Sequence, residues 1–95
     1  MNNDELSILR KIEKEKQINQ RKIASELGIS LGKVNYCLKE LKKRGFIKIN
    51  NFSQSKKKLN YIYLVTPKGI TAKTKAVLNF MKIKMREYEE LKKDL

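Results

Sequence analysis

The side chains that could do covalent or metal chemistry are few in this 95-residue chain, and they are poorly grouped. There is no His and only one Cys, Cys37. A single thiol forms no intramolecular disulfide, and without His the usual zinc ligand set and the commonest general base are both missing. The one acidic cluster, Glu87, Glu89, Glu90 and Asp94, has the composition of a cation site or an acid–base pair. It alternates with Arg86, Lys92 and Lys93, however, and Glu89 to Lys93 is a favourable i,i+4 helical pair, so it reads as a solvated face. Cys37 falls on the flank of an apolar helix face and is expected to behave as a small hydrophobe; a redox-sensing thiol needs an exposed, electropositive site. The lysines nearby keep that second possibility in view. No catalytic residue, metal or cofactor is expected, and the chain does not read as an enzyme.

What the chain has in quantity is positive charge. Lys and Arg number 23 against 10 Asp and Glu, a net charge of +13, which points to a polyanionic partner. Between Gly28 and Gly69 lie ten of the basic groups and one acidic group, so the excess is concentrated in the middle of the chain. Lys outnumbers Arg 19 to 4. Lysine is a point charge suited to phosphate, whereas arginine makes the planar two-bond contact to guanine, so most of this charge supplies affinity rather than specificity. Hydrophobic residues make up 40 %, enough for a small core. No apolar run approaches the roughly 18 residues needed to cross a bilayer, so no membrane contact is expected. The opening residues lack a basic segment followed by an apolar one, and a cytoplasmic location is expected.

Four glycines and Pro67 punctuate the elements that must position this charge. Leu6, Leu9 and Ile12 recur at helical spacing behind Asp4 and Glu5, predicting a first helix over 4–15. Asn19 can cap a second helix, Gln20–Leu27, with Ile23, Ala24 and Leu27 on one face and Gly28 as its stop. Ser30 caps a third helix that runs to Arg44, with Gly45 beyond it. Two helices joined by a short glycine-containing turn are a helix-turn-helix, whose second helix is the one that enters a DNA groove. Phe46–Asn50 and Tyr61–Val65 then read as two strands, joined by a polar loop that carries Lys56, Lys57 and Lys58. Such a hairpin placed directly after a helix-turn-helix makes a basic wing. Thr66 and Pro67 start a last helix that no breaker interrupts after Gly69. The expected fold is mainly α with a small β-hairpin: a winged helix-turn-helix over residues 1–66 and a long C-terminal dimerisation helix over 67–95.

Within the third helix Val34, Leu38 and Leu41 form the core face, which leaves Gly32, Lys33, Asn35, Tyr36, Lys39 and Lys43 for DNA. Gly32 costs up to about 1 kcal/mol relative to Ala, and Lys33 places a cation at the positive end of the helix dipole. Both make sense if phosphate or a base edge approaches the helix N-terminus behind Ser30. Asn35 has the groups for a two-bond contact to adenine, and Tyr36 could pack on a thymine methyl or reach a phosphate. Arg21 and Arg44 are better placed for the DNA backbone than for bases. On the last helix, Leu78, Met81, Met85 and Tyr88 follow a 3-4-3 spacing that Leu95 extends and Lys92 interrupts. This seam is expected to face a second copy; the competing arrangement folds it back on the first helix.

Gln20 to Ser30, Val34, Leu38 to Phe46, and the closing Leu64-Val65-Thr66-Pro67-Lys68-Gly69 together resemble MarR-type winged-helix transcriptional regulators. The closest likeness is to a short subgroup described as exopolysaccharide-associated, whose third-helix string is matched from Ser30 to Leu38. The resemblance covers nearly the whole chain and implies a homodimer that binds a promoter operator. The larger family often carries an Asp-Arg pair in the wing, whereas this chain has Ser55 followed by Lys56, Lys57 and Lys58, so phosphate contacts are expected in place of arginine insertion. The subgroup's chains are shorter than typical MarR proteins, so no effector pocket is carried over and the small-molecule effector stays unknown. The runner-up function is a winged-helix protein- or RNA-interaction module in a larger assembly, which sequence-specific operator binding would separate from a regulator. A nuclease subunit is disfavoured because no carboxylate cluster lies near the basic face.

Overall fold

The computed structural model describes residues 1–15, 17–51 and 61–95, so the wing lysines Lys56, Lys57 and Lys58 lie outside the described residues. Its elements run α1 (Asn3–Lys14), α2 (Gln20–Leu27), α3 (Leu31–Lys43), β1 (Ile47–Asn51), β2 (Tyr61–Val65) and α4 (Pro67–Lys92).

Each helix starts on a side chain that accepts an otherwise orphaned backbone N–H. Asn2 and Glu5 form a reciprocal capping box on α1: Glu5 N donates to Asn2 Oδ1 at 2.8 Å and Asn2 N donates to Glu5 Oε1 at 3.1 Å. Asn19 accepts from Lys22 N at 2.8 Å, and Ser30 accepts from Lys33 N at 3.1 Å. Thr66 does the same for Gly69 N at 3.0 Å, while its hydroxyl donates to the Gly45 carbonyl at 2.6 Å. Gly28, at φ 67°, closes α2 in the left-handed conformation that glycine adopts without steric cost.

Several boundaries differ from expectation: α1 runs one residue earlier than 4–15, α3 ends at Lys43 with Arg44 as its cap, and β1 reaches Asn51 rather than Asn50. The Phe46 N–H donates to the Leu41 carbonyl at 2.9 Å, so Phe46 completes the end of α3 and the strand starts one residue later than the apolar run suggests. At the other end, α4 stops at Lys92 rather than 95. Asp94 N and Leu95 N donate three residues back, to Leu91 and Lys92, and this tightened last turn leaves Leu95 beyond the helix.

The core lies where α1, α2 and α3 meet one face of the hairpin. Ile8, Leu9, Ile12, Ile18, Ile23, Val34, Leu38, Leu41, Ile47 and Tyr63 are all essentially inaccessible. Leu6, expected among them, is only half-buried, and Ile8 takes the inward position. The antiparallel register sets Ile47 opposite Val65 and Ile49 opposite Tyr63, which puts four apolar side chains on the face that covers the helices.

The start of α4 is pressed onto this domain at Gly69. A Cβ there would lie 2.1 Å from the Phe46 carbonyl oxygen and 2.9 Å from Val65 Cγ1, so no larger residue fits without moving backbone. An ion pair between Lys73 and Glu13 ties the next turn to α1. From Leu78 onward every residue is exposed and the helix leaves the domain: the 26 residues of α4 span about 39 Å at roughly 1.5 Å each, and the molecule's long axis reaches 59 Å.

Candidate nucleic-acid interface

With Val34, Leu38 and Leu41 turned inward, 100° per residue sorts the rest of α3 into an outer face and two flanks. The outer face carries Gly32, Tyr36, Lys39 and Lys43, all exposed, with Tyr36 at 65 %. A Cβ at Gly32 would meet nothing within 4 Å among the described residues, so their packing does not require a glycine there.

The flank toward α1 holds Lys33, Glu40 and Arg44. Lys33 Nζ lies 2.7 Å from Asp4 Oδ2, and that hydrogen-bonded carboxylate raises the lysine pKa above its ordinary value. Arg44 reaches Glu40 at 3.9 Å and Glu5 Oε2 at 3.5 Å. Glu5 is only 3 % exposed, and Oε2 has no hydrogen bond among the described residues, so the guanidinium is the charge that offsets its burial.

The other flank, toward α2 and the hairpin, holds Asn35 and Lys42. Asn35 Nδ2 donates to Gln20 Oε1 at 3.2 Å. Both residues line an open groove of about 360 Å³ together with Lys39, Lys42, Leu38, Ile49 and Tyr63. At the start of α2, Arg21 is exposed, while its neighbour Lys22 pairs with Glu15 at 2.9 Å and has its pKa raised by that hydrogen bond. Ser30 is exposed at the mouth of α3, its oxygen engaged by Lys33 N.

Lys39, Lys42 and Lys43 have no acidic partner among the described residues, whereas α1 carboxylates meet Lys33 and Arg44. Asp4, Glu5, Gln20 and Lys42 thus belong to this region although sequence reasoning did not select them as site residues. Only Lys42 had a local signal, its place on a basic helix; the other three act across a tertiary contact.

Cys37 is buried at 3 % exposure. Burial, and after it the carboxylates of Glu5 and Asp4, push its thiol pKa up, with Lys33 pulling the other way. Among the described residues no acidic, Cys or His cluster could hold a metal ion, and no helix is long and apolar enough to cross a membrane. On α4, Leu78, Met81, Met85 and Tyr88 are between 53 and 65 % exposed, so the row is not buried against α1.

Three helices, a two-stranded hairpin and a basic, outward third helix define a winged helix-turn-helix. Residues 3–48 match the family model described as winged helix-turn-helix DNA-binding. Among solved structures the chain is similar to the PcaV transcriptional regulator from Streptomyces coelicolor in complex with its natural ligand, with TM-score 0.76, 13 % identity, and coverage of 88 % of this chain and 58 % of that one. It is similar also to a MarR-family transcriptional regulator from Rhodococcus, with TM-score 0.78, 19 % identity, and 94 % and 61 % coverage. ZitR from Lactococcus lactis gives TM-score 0.73 and 21 % identity over 100 % of this chain and 62 % of that chain. At these identities the likeness is one of fold, and the chain spans less than two thirds of each of these structures. No curated protein sequence matches the chain.

Proposed function

We propose that this chain is a MarR-type transcriptional regulator that binds double-stranded DNA as a homodimer, and the string Ser30–Leu38 supports placing it with the short exopolysaccharide-associated subgroup. Residues 1–66 are the DNA-binding unit and 67–95 the pairing unit. In this reading α3 lies in the major groove with Gly32, Lys33, Asn35, Tyr36, Lys39 and Lys43 toward the DNA. Ser30 and Arg21 approach the backbone from two helix N-termini, and Lys56, Lys57 and Lys58 hold the flanking phosphates.

The observation that carries this reading is the division of charge on α3. Cations on the flank against α1 meet carboxylates, while Lys39, Lys42 and Lys43 stay unpaired among the described residues, so the uncompensated charge sits on the solvent side. Unpaired lysines on an exposed helix are suited to displacing counterions from a phosphate backbone.

The homodimer rests on α4, whose apolar row has no cover among the described residues. Burying side chains of this kind stabilises a complex by roughly 1.5–3 kcal/mol each. A two-fold pair also implies a palindromic operator with half-sites about one DNA turn, roughly 34 Å, apart.

A DNase footprint over the region upstream of the protein's own gene, repeated across a salt series, tests the whole. A symmetric protected site is expected, with log K falling against log salt at a slope near −7 if a dimer neutralises about eight phosphates. No protected site, or a slope shallower than about −2, would remove α3 as a DNA-binding face and leave the interaction-module reading standing.

A further inference from the structure

The hydrogen bond between Asn35 and Gln20 crosses from the third helix to the first residue of the second, fifteen positions earlier. Both side chains are half-buried on the wall of the groove that Lys39 and Lys42 also line. A carboxamide offers one acceptor oxygen and two N–H donors, and an unrestrained asparagine can present them in either order because its terminal torsion is nearly two-fold. Gln20 Oε1 accepts one of the two donors. What Asn35 has left, with no partner among the described residues, is one oxygen acceptor and one N–H donor.

That remainder discriminates between purines. Adenine shows the major groove one donor, N6–H, and one acceptor, N7; guanine shows two acceptors, O6 and N7. An asparagine with one donor already engaged matches the first pattern and lacks the second N–H that guanine calls for. We infer that Gln20 is a positioning residue that fixes the Asn35 carboxamide for adenine, so that each half-site contains one A·T pair whose identity depends on a residue that does not itself read the base. The inference rests on the proposal above that α3 lies in the major groove.

The test uses the full chain and a duplex selected by it from a random library, compared with duplexes in which each A·T pair is replaced in turn by G·C. The wild-type chain is expected to prefer adenine by about tenfold at one position per half-site, as a two-bond contact gives. Gln20→Ala is expected to bring that ratio to within about twofold of unity while a circular dichroism melt stays cooperative. Gln20→Glu keeps an acceptor for Asn35 and adds a negative charge, so it is expected to weaken binding to both duplexes and preserve their ratio. In an Asn35→Ala background, Gln20→Ala is expected to have no further effect on the ratio.

A Gln20→Ala chain that retains the wild-type preference overturns the inference. So does one that lowers both affinities equally, because that is the behaviour of a phosphate contact or a packing residue. If the wild-type chain itself prefers no duplex in the selection, the inference falls together with the base-reading role of α3, whereas a selective wild type with a silent Gln20 removes the inference alone.

Discussion

Arg44, at the end of α3, lies 3.5 Å from the buried Glu5 carboxylate near the start of α1. The same Glu5 closes the α1 capping box, so one side chain both starts the first helix and anchors the far end of the third. Removing one partner of a buried pair leaves the other charge uncompensated, which is worse than removing both. Arg44→Ala is therefore expected to destabilise the fold by about 1–3 kcal/mol, the lower part of the range reflecting a half-exposed guanidinium. Arg44→Ala combined with Glu5→Gln should recover part of that loss. Urea unfolding of the two variants checks the order; a double variant less stable than the single one would contradict it.

Gly32 separates stability from binding. Its missing Cβ would meet nothing within 4 Å among the described residues. Gly32→Ala is expected to raise stability by up to about 1 kcal/mol, the helix-propensity difference, while weakening DNA binding several-fold, because in the proposed complex the methyl group would stand between the backbone of α3 and the DNA. A thermal melt and a duplex titration on the same sample decide. Unchanged affinity in the stabilised variant would show that nothing approaches the start of α3 closely.

Cys37 is expected to be inert. Its thiol is buried and its pKa lies above the ordinary value of 9.0, and the thiolate is the reactive form. At pH 8 iodoacetamide should label the folded chain at least about tenfold more slowly than the urea-unfolded chain, and peroxide should leave DNA binding intact. The raised pKa also fixes a sign. As pH climbs through 9, the unfolded chain loses its thiol proton before the folded one does, so this group's contribution to stability declines on the alkaline side. Equal labelling rates in the folded and unfolded chains would point to an accessible sensor thiol.

Assembly is tested on α4. Met81 and Met85 are exposed at 53 and 65 % in the single chain, so lysines in their place disturb no internal packing. Met81→Lys with Met85→Lys is expected to yield a folded monomer that still melts cooperatively and binds the operator much more weakly. Sedimentation equilibrium is the readout. A wild-type chain that is monomeric at tens of micromolar, or a double variant that still pairs, would show that the row has another use.

Local chemistry made much of this protein legible from its sequence. The caps at Asn19, Ser30 and Thr66, the stops at Gly28 and Gly45, and the change from helical spacing to strand runs after Gly45 all act between residues a few positions apart, so neighbouring residue types determine them. The core face of α3 and the exposed row on α4 follow from the same short-range periodicity. What the sequence could not fix is which side of α3 keeps its charge. Lys33 and Lys39 are the same residue type on the same helix, yet one meets Asp4 and the other meets no acid among the described residues. The difference depends on how α1 crosses α3, and that crossing is set by the packing of Ile8, Leu9 and Ile12 against Val34, Leu38 and Leu41. The Gln20–Asn35 bond and the fit of Gly69 beneath Phe46 arise in the same way, from groups 15 and 23 positions apart in sequence that only the assembled core brings within reach.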